Sequence, residues 1–290
     1  MNTHLNQFSL YLRRYKLSEN SIKSYVYIIT KLCREYPDAP HYSYNQIIDY
    51  LHHYTNRTER PSMSLLQSAL KRYYAFLFQK KVIKNNPMFG IAMIQRKKPL
   101  IHDDLLTQDE LNKLLNRPER YKALVIRNKL IVSLLIYQGL RLSELINLRI
   151  DDISFENETL RIKKQPNTLG RKLQLKPTQL AWFHKYLLKF RNDGQSNQSD
   201  SLFTNKLGSK LTPDDVYHLL SIYSLLFPNT RVTTTLIRQS VISYWINICN
   251  IPVEQVQLLA GHKHISTTVA YRKPNMQALL TQVDTYHTLV

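Results

Sequence analysis

Glycine is scarce in this chain, six residues in 290, and that scarcity narrows the fold. Tight βα turns and phosphate-cradling loops depend on glycine. Neither a G-x-G-x-x-G nor a P-loop sequence is present, which argues against a nucleotide-driven machine and for a mostly helical protein. Cysteine is rarer still. Cys33 and Cys249 lie far apart in apolar-periodic stretches, so they read as buried thiols of a reducing compartment. No Cys or His spacing matches a zinc site, and no metal or other cofactor is expected. No run approaches eighteen apolar residues free of charge, which excludes a membrane-spanning helix. The start, MNTHLNQFSLYLRRYK, lacks the apolar stretch of a signal peptide, so a cytoplasmic protein is expected. Acidic residues are the remaining deficit. Twenty-one Asp and Glu face forty Lys and Arg, a formal net charge of +19. That balance suits a polyanionic partner, nucleic acid before an anionic membrane surface.

The deficit of acid is uneven. Between Glu59 and Asp103 there is no acidic residue, while the same stretch holds Arg60, Lys71, Arg72, Lys80, Lys81, Lys84, Arg96, Lys97 and Lys98. Ordinary surfaces intersperse both signs, so this run reads as a surface that tracks phosphates. Lys71 or Arg72 is also placed to reach base edges in a major groove.

What is present is mainly helix. Apolar residues make up 43% of the chain, enough for one large core or two ordinary ones. Phe8, Tyr11, Leu12 and Tyr15 recur at helical spacing. Ser18 caps a second helix with the stripe Ile22, Val26, Ile29 and Cys33. A third covers Tyr44 to His53, and a fourth carries Leu66, Ala69, Leu70, Tyr73, Phe76 and Leu77. Gly90 to Asp104 is aperiodic and contains Pro99, a linker. Thr107 to Glu110 forms a capping box that opens a second domain, and an apolar helix from Ala123 to Tyr137 ends at Gly139. The period then changes to alternation. Thr159–Ile162 and Arg171–Leu175 read as strands around an Asn167–Gly170 turn, with a third short strand before them. Helices resume at Gln179 to Arg191, at Thr212-Pro213-Asp214-Asp215, at Leu236 to Ile248 and at Val253 to Ala260.

The second domain's polar residues form a series. Arg141 stands in Gly139-Leu140-Arg141-Leu142-Ser143-Glu144-Leu145, Arg238 ends Thr235-Leu236-Ile237-Arg238, and His262 ends Leu259-Ala260-Gly261-His262. Tyr271 follows nine positions later. Taken singly each is an ordinary capping or packing residue. Together, in this order and spacing, they resemble the tyrosine recombinase or phage integrase family, which includes Cre and the Xer recombinases. The resemblance covers nearly the whole chain. It implies a helical N-terminal DNA-binding domain, residues 1–98 with a basic linker, and an α+β catalytic domain with a small antiparallel sheet, residues 104–290.

It also implies a chemistry that the residue types suit. Two guanidiniums, Arg141 and Arg238, hold the non-bridging oxygens of a scissile phosphate without a metal. Tyr271 attacks and becomes a 3′-phosphotyrosine, which stores the bond energy for resealing. His262 bonds the phosphate or accepts the tyrosine proton, and Glu144, three residues past Arg141, orients the arginine or the histidine. Two positions depart from the family. Thr235 stands where the second box usually opens with histidine, and threonine is no general base near neutral pH. The hairpin lysine that protonates the leaving oxygen usually sits in a Gly-Lys-Gly turn, absent here. Lys164 is the choice by alternation from Ile162, with Lys163 and Lys172 as alternatives.

The tail from Asn275 to Val290 carries Met276, Leu279, Leu280, Val283 and Tyr286 at helical spacing. It either packs on its own domain or, as the resemblance implies, docks on a neighbouring protomer of a tetramer. The expectation is a site-specific DNA recombinase acting as a homotetramer on paired sites in duplex DNA. A second recombinase or accessory DNA-binding proteins could join it, in the cytoplasm and on the nucleoid. The threonine leans the role towards a mobile element or plasmid. A catalytically weakened DNA-binding relative and a type IB topoisomerase-like nicking-closing enzyme are the alternatives.

Overall fold

The computed structural model describes residues 2–15, 17–55, 63–92, 102–119, 121, 124–166, 168–191, 200–205, 208–228 and 230–273. The chain divides into two compact units, Met1–Pro99 and Leu100–Val290, each built round its own apolar core. It is mainly α-helical with one small sheet.

The first unit holds α1 (Asn2–Arg14), α2 (Glu19–Glu35), α3 (Tyr44–Thr55) and α4 (Met63–Gln79). Ser18 opens α2 by accepting a hydrogen bond from the Ser21 amide at 3.2 Å. Ile22, Ile29 and Cys33 enter the core with Ile28 and Leu32, while Val26 is half-buried. Phe8 of α1 meets Tyr73 of α4 edge to face, with ring centroids 5.4 Å apart. Tyr73 and Tyr74 are fully buried, and their hydroxyls are satisfied by Cys33 Sγ at 3.6 Å and by the Ala39 carbonyl at 2.6 Å. Two large rings thus fill the core without orphaning a polar atom. The shortage of glycine shows at the end of α4. Lys81 takes the left-handed conformation, φ +58°, and the Val82 amide closes back on the Leu77 carbonyl.

In the second unit α5 (Gln108–Leu115) starts with the expected box. The Glu110 amide donates to Thr107 Oγ1, and the Thr107 amide donates to Glu110 Oε2. The apolar helix α6 begins at Val125 and runs to Tyr137. Gly139 ends it with φ +57°, and a five-residue helix α7 (Leu142–Ile146) follows at once. The sheet is antiparallel in the order β1 (Ile153–Ser154), β2 (Thr159–Ile162), β3 (Arg171–Gln174). Leu160 stands opposite Leu173, and Ile162 opposite Arg171. Leu160, Ile162, Leu173 and Leu175 face the core. Then come α8 (Pro177–Arg191), α9 (Pro213–Tyr223), α10 (Thr234–Asn247), α11 (Val253–Ala260) and α12 (Ile265–Val269). The last of these short helices carries no strong periodicity and is not legible in the sequence.

Gln138 at the end of α6 and Gln179 on α8 exchange two amide hydrogen bonds, at 2.9 and 3.0 Å. They also take up the Gln174 carbonyl, the Lys176 amide and Ser133 Oγ. This buried network ties the turn that precedes Arg141 to β3 and α8. One expectation fails: Cys33 is buried, but Cys249 is exposed. It lies in the turn after α10, where Asn250 takes φ +52° and it is Ile251, not Cys249, that returns to the apolar cluster of α10 and α11. Arg96, Lys97, Lys98 and the tail from Asn275 to Val290 lie outside the described residues. Among the described residues no helix is long and apolar enough to cross a membrane.

Candidate active site

Four elements of the second unit converge on one cleft of about 420 Å³, lined by Arg141, Thr234, Thr235, Arg238, Gln239, His262, Thr267 and Tyr271 among others. Each side chain arrives by a local device. The left-handed turn at Gly139 reverses the chain so that Arg141 caps α7. A Cβ at Gly139 would meet the Trp245 ring at 3.2 Å, so α10 packs close against this turn. Arg238 and Gln239 lie in the second turn of α10, whose positive N-terminal end opens on the cleft through Thr234 and Thr235. Gly261, at φ +65°, ends α11 and turns His262 inward.

Arg238 is buried, 7% exposed, and held on three sides. Nη1 donates to the Gly139 carbonyl, Nη2 donates to the Ala260 carbonyl at 2.7 Å, and Nη2 also stands 3.0 Å from His262 Nε2. A guanidinium has no lone pair to offer, so His262 Nε2 is the acceptor there. The ring proton therefore sits on Nδ1, which faces the buried Thr268 Oγ1 at 2.9 Å. Burial, then the charges of Arg238, Arg141 and Arg171, drive the His262 pKa down to about 3, so the ring is neutral at any physiological pH. Burial, with Arg141 beside it, lowers Arg238 to about 9, which leaves it charged at neutral pH.

Glu144 is sealed from solvent and accepts the Arg141 amide at 2.9 Å and Arg141 Nη1 at 3.2 Å. Arg171 of β3 adds two more bonds, at 2.8 and 2.9 Å. Burial alone would raise the Glu144 pKa. The bonds and charge of Arg171, with those of Arg141, outweigh it and hold the group below the ordinary carboxylate range. Three guanidiniums, one carboxylate and a neutral imidazole leave two net positive charges around the cleft.

Tyr271 lies along His262, ring planes 16° apart and centroids 6.1 Å apart. Burial raises its pKa, opposed by Arg238, Arg141 and a hydrogen bond from Gln239. Its backbone is gripped by Asn247, the last residue of α10. Asn247 Nδ2 donates to the Tyr271 carbonyl at 2.9 Å, and the Lys273 amide donates to Asn247 Oδ1 at 2.9 Å. Helix α10 thus carries Arg238 at one end and holds the tyrosine segment at the other.

Of the residues singled out in the sequence, Arg141, Thr235, Arg238, His262 and Tyr271 line this cleft, and Glu144 sits beneath it. Lys164 does not line it. It is exposed at the end of the β2–β3 hairpin, whose next residue, Gln165, comes within 3.4 Å of the cleft residue Ser143. Lys163 is drawn to Asp152 at 3.3 Å, and Lys172 stands opposite Arg161 in the register of β2 and β3, both exposed. In the first unit Lys71, Lys80 and Lys81 are exposed, while Arg72 stacks on the Tyr15 ring at 4.6 Å. Sequence reading missed Arg171, Gln239, Asn247 and Thr268, since a lone cation, amide or hydroxyl in a helix or strand carries no spacing signal. Among the described residues no group of three or more His, Cys, Asp or Glu is placed to hold a metal ion.

The cleft thus gathers guanidiniums, an imidazole and a phenol, groups able to hold an anion. The profile described as the phage integrase family matches residues 104–278. The chain belongs to the phage integrase family: it is a tyrosine-type DNA recombinase. Similar proteins include the tyrosine recombinase XerA of Pyrococcus furiosus, 29% identical over 97% of this chain and 92% of that protein. The tyrosine recombinase XerD of Lacticaseibacillus casei is 30% identical over 80% of this chain and 78% of its own length. In fold, the chain is similar to a XerH site-specific recombinase bound to its difH substrate, with a TM-score of 0.72, 21% identity and coverage of 90% of this chain and 78% of the other. A lambda integrase dimer bound to a core site gives the same TM-score at 16% identity, covering 94% of this chain and 77% of the other.

Proposed function

We propose that this cleft is the strand-cleaving site of a site-specific recombinase, with Tyr271 as nucleophile and Arg141 and Arg238 as the grip on the scissile phosphate. The observation that carries the reading is the convergence of these three side chains and His262 on one cleft with two net positive charges. A phosphodiester brings one negative charge, and in-line attack by a phenolate brings a second. A cleft with two uncompensated cations therefore stabilises the transition state more than the ground state. Attack forms the Tyr271 Oη–phosphorus bond and breaks the bond to the 5′ oxygen, which leaves with a proton from Lys164. The reverse attack by a 5′ hydroxyl restores the DNA and frees Tyr271. His262, neutral with Nε2 as acceptor, accepts the phenol proton once the phosphate draws Arg238 away. Thr235 donates its hydroxyl to a phosphate oxygen from the cleft wall.

In the same reading residues 1–98 and 104–290 are the DNA-binding and catalytic domains. Lys71, Arg72, Lys80, Lys81, Arg96, Lys97 and Lys98 contact the backbone on either side of the cleavage site. Four copies assemble on paired sites, and the protein works in the cytoplasm on the nucleoid, in the service of a mobile element or plasmid. Thr235, standing where the family carries histidine, favours one further reading, a DNA-binding relative that has lost strand cleavage.

A nicked suicide substrate separates the two. The wild-type chain should form a covalent protein–DNA adduct on its own recombination site, and Tyr271→Phe should form none. Binding with no adduct would make the chain a non-cleaving relative, and an adduct from Tyr271→Phe would move the nucleophile elsewhere.

A further inference from the structure

Arg171 opens β3 and presents its guanidinium to both oxygens of Glu144, Nη1 to Oε1 at 2.8 Å and Nη2 to Oε2 at 2.9 Å. Its side chain is 6% exposed, and Nε is buried with no hydrogen-bond partner among the described residues. Folding alone does not call for such a pair, because apolar side chains of equal volume fill a core at least as well. The surrounding backbone nevertheless makes room for it. A Cβ at Gly261 would come within 2.5 Å of Arg171 Nη1, so the turn that aims His262 passes directly over the guanidinium.

The carboxylate that Arg171 holds is the one that holds Arg141. Arg141 reaches the cleft, whereas Arg171 does not line it. Arg171 also faces Ile162 across the β-ladder, two residues before Lys164. Its neighbour Gly170 packs on the Lys164 backbone, where a Cβ would lie 3.1 Å from the Lys164 nitrogen. The hairpin and the Arg141 turn are therefore joined through one buried ion pair.

We propose that Arg171 is a positioning residue: by clamping Glu144 it fixes the Arg141 guanidinium at the cleft and sets the Lys164 hairpin in register with it. The role rests on reading the cleft as the strand-cleaving site. It has a signature in pH. The charged groups that face Glu144 are Arg141 on its own helix, Arg171 from β3 and Arg238 from α10, with the neutral His262 beyond. With Arg171 gone, burial dominates and Glu144 takes up a proton closer to neutrality, releasing Arg141.

The test measures adduct formation on the nicked substrate from about pH 5.5 to about pH 9, for wild type, Arg171→Lys, Arg171→Gln and the double variant Arg171→Gln/Glu144→Gln. DNA affinity and urea unfolding are followed alongside. Arg171→Gln should bind DNA within about twofold of wild type and cleave about 10–100-fold more slowly, with an added acid limb on top of the wild-type slope. Arg171→Lys should recover part of the rate without the acid limb. The double variant should lose the limb, having no carboxyl to titrate. Cleavage by Arg171→Gln within about twofold of wild type overturns the proposal, as does a loss uniform with pH that tracks the folded fraction. If Arg171→Gln does not fold, Arg171→Lys decides, by slower cleavage at unchanged DNA affinity. A wild-type chain that binds but forms no adduct defeats the reading of the cleft itself, and the clamp falls with it.

Discussion

Tyr271 is the proposed nucleophile, and its buried phenol should set the pH–rate profile. The phenol must lose a proton to attack, and burial makes that harder. The second-order cleavage rate should therefore climb with pH as the phenol ionises, with Arg238 still charged to oppose its burial. His262, held at about 3, adds no inflection between about pH 5 and about pH 8, so a break near pH 6.5 would contradict the neutral ring. The same depression affects stability. Below about pH 6.5 the unfolded chain takes up a proton that the folded His262 refuses until about pH 3. The contribution of His262 is thus complete above pH 6.5 and lost as pH falls towards 3, with a ceiling of about 5 kcal/mol. Urea unfolding at about pH 7 and about pH 5 should show a loss that His262→Gln reduces. Asn247 gives a residue-scale prediction of another kind. Asn247→Ala removes both bonds to the Tyr271–Lys273 backbone and should slow adduct formation about tenfold while leaving DNA affinity unchanged. An unchanged rate would show that the tyrosine segment needs no clasp.

At the scale of elements, the second unit is organised by turns more than by helices. Gly139 and Gly261 supply two of the left-handed turns, and both precede a residue of the cleft. Elsewhere Lys81, Glu158 and Asn250 adopt positive φ without the freedom of glycine. The turn before Arg141 is further secured by the Gln138–Gln179 pair. Gln179→Leu should leave Gln138 Oε1 and the Lys176 amide without their partners, while Gln138 Nε2 keeps the Gln174 carbonyl and Ser133 Oγ the Leu130 carbonyl, at a cost of about 2–3 kcal/mol. Urea unfolding checks this, and a loss under about 0.5 kcal/mol would show that the network adds little. Most elements were legible from their periods and caps. Ser18, the Thr107–Glu110 box and the two strands stand where the sequence puts them. The short helices α7 and α12 were not, because five residues cannot express a period of 3.6.

Across the whole molecule the excess of positive charge sets how the chain meets DNA. Binding should weaken steeply with salt, each neutralised phosphate adding about −0.9 to the slope of log K against log salt. Replacing Lys71, Lys80 and Lys81 with glutamine should flatten that slope by about 0.9 for each one that pairs with a phosphate. Arg72→Gln should act less simply, since its guanidinium also covers the Tyr15 ring. A slope indifferent to all four would remove the first unit from the DNA contact.

The sequence by itself determined the helical class, the two-part organisation it anticipates, and the family, because amphipathic periods, an acid-free stretch and the spacing of Arg141, Arg238, His262 and Tyr271 are written along the chain. The tertiary structure decided how that chemistry is held. Glu144 reads as a helper of Arg141 in the sequence, but its second partner, Arg171, lies 27 residues away on a strand. Asn247 reads as an ordinary helix end, yet it grips the backbone of Tyr271, 24 residues on. Cys249 reads as buried and is exposed. The physical reason is common to all three. Periodicity reports which face of an element is apolar, whereas a buried polar group takes its role from whichever partner folding brings to it.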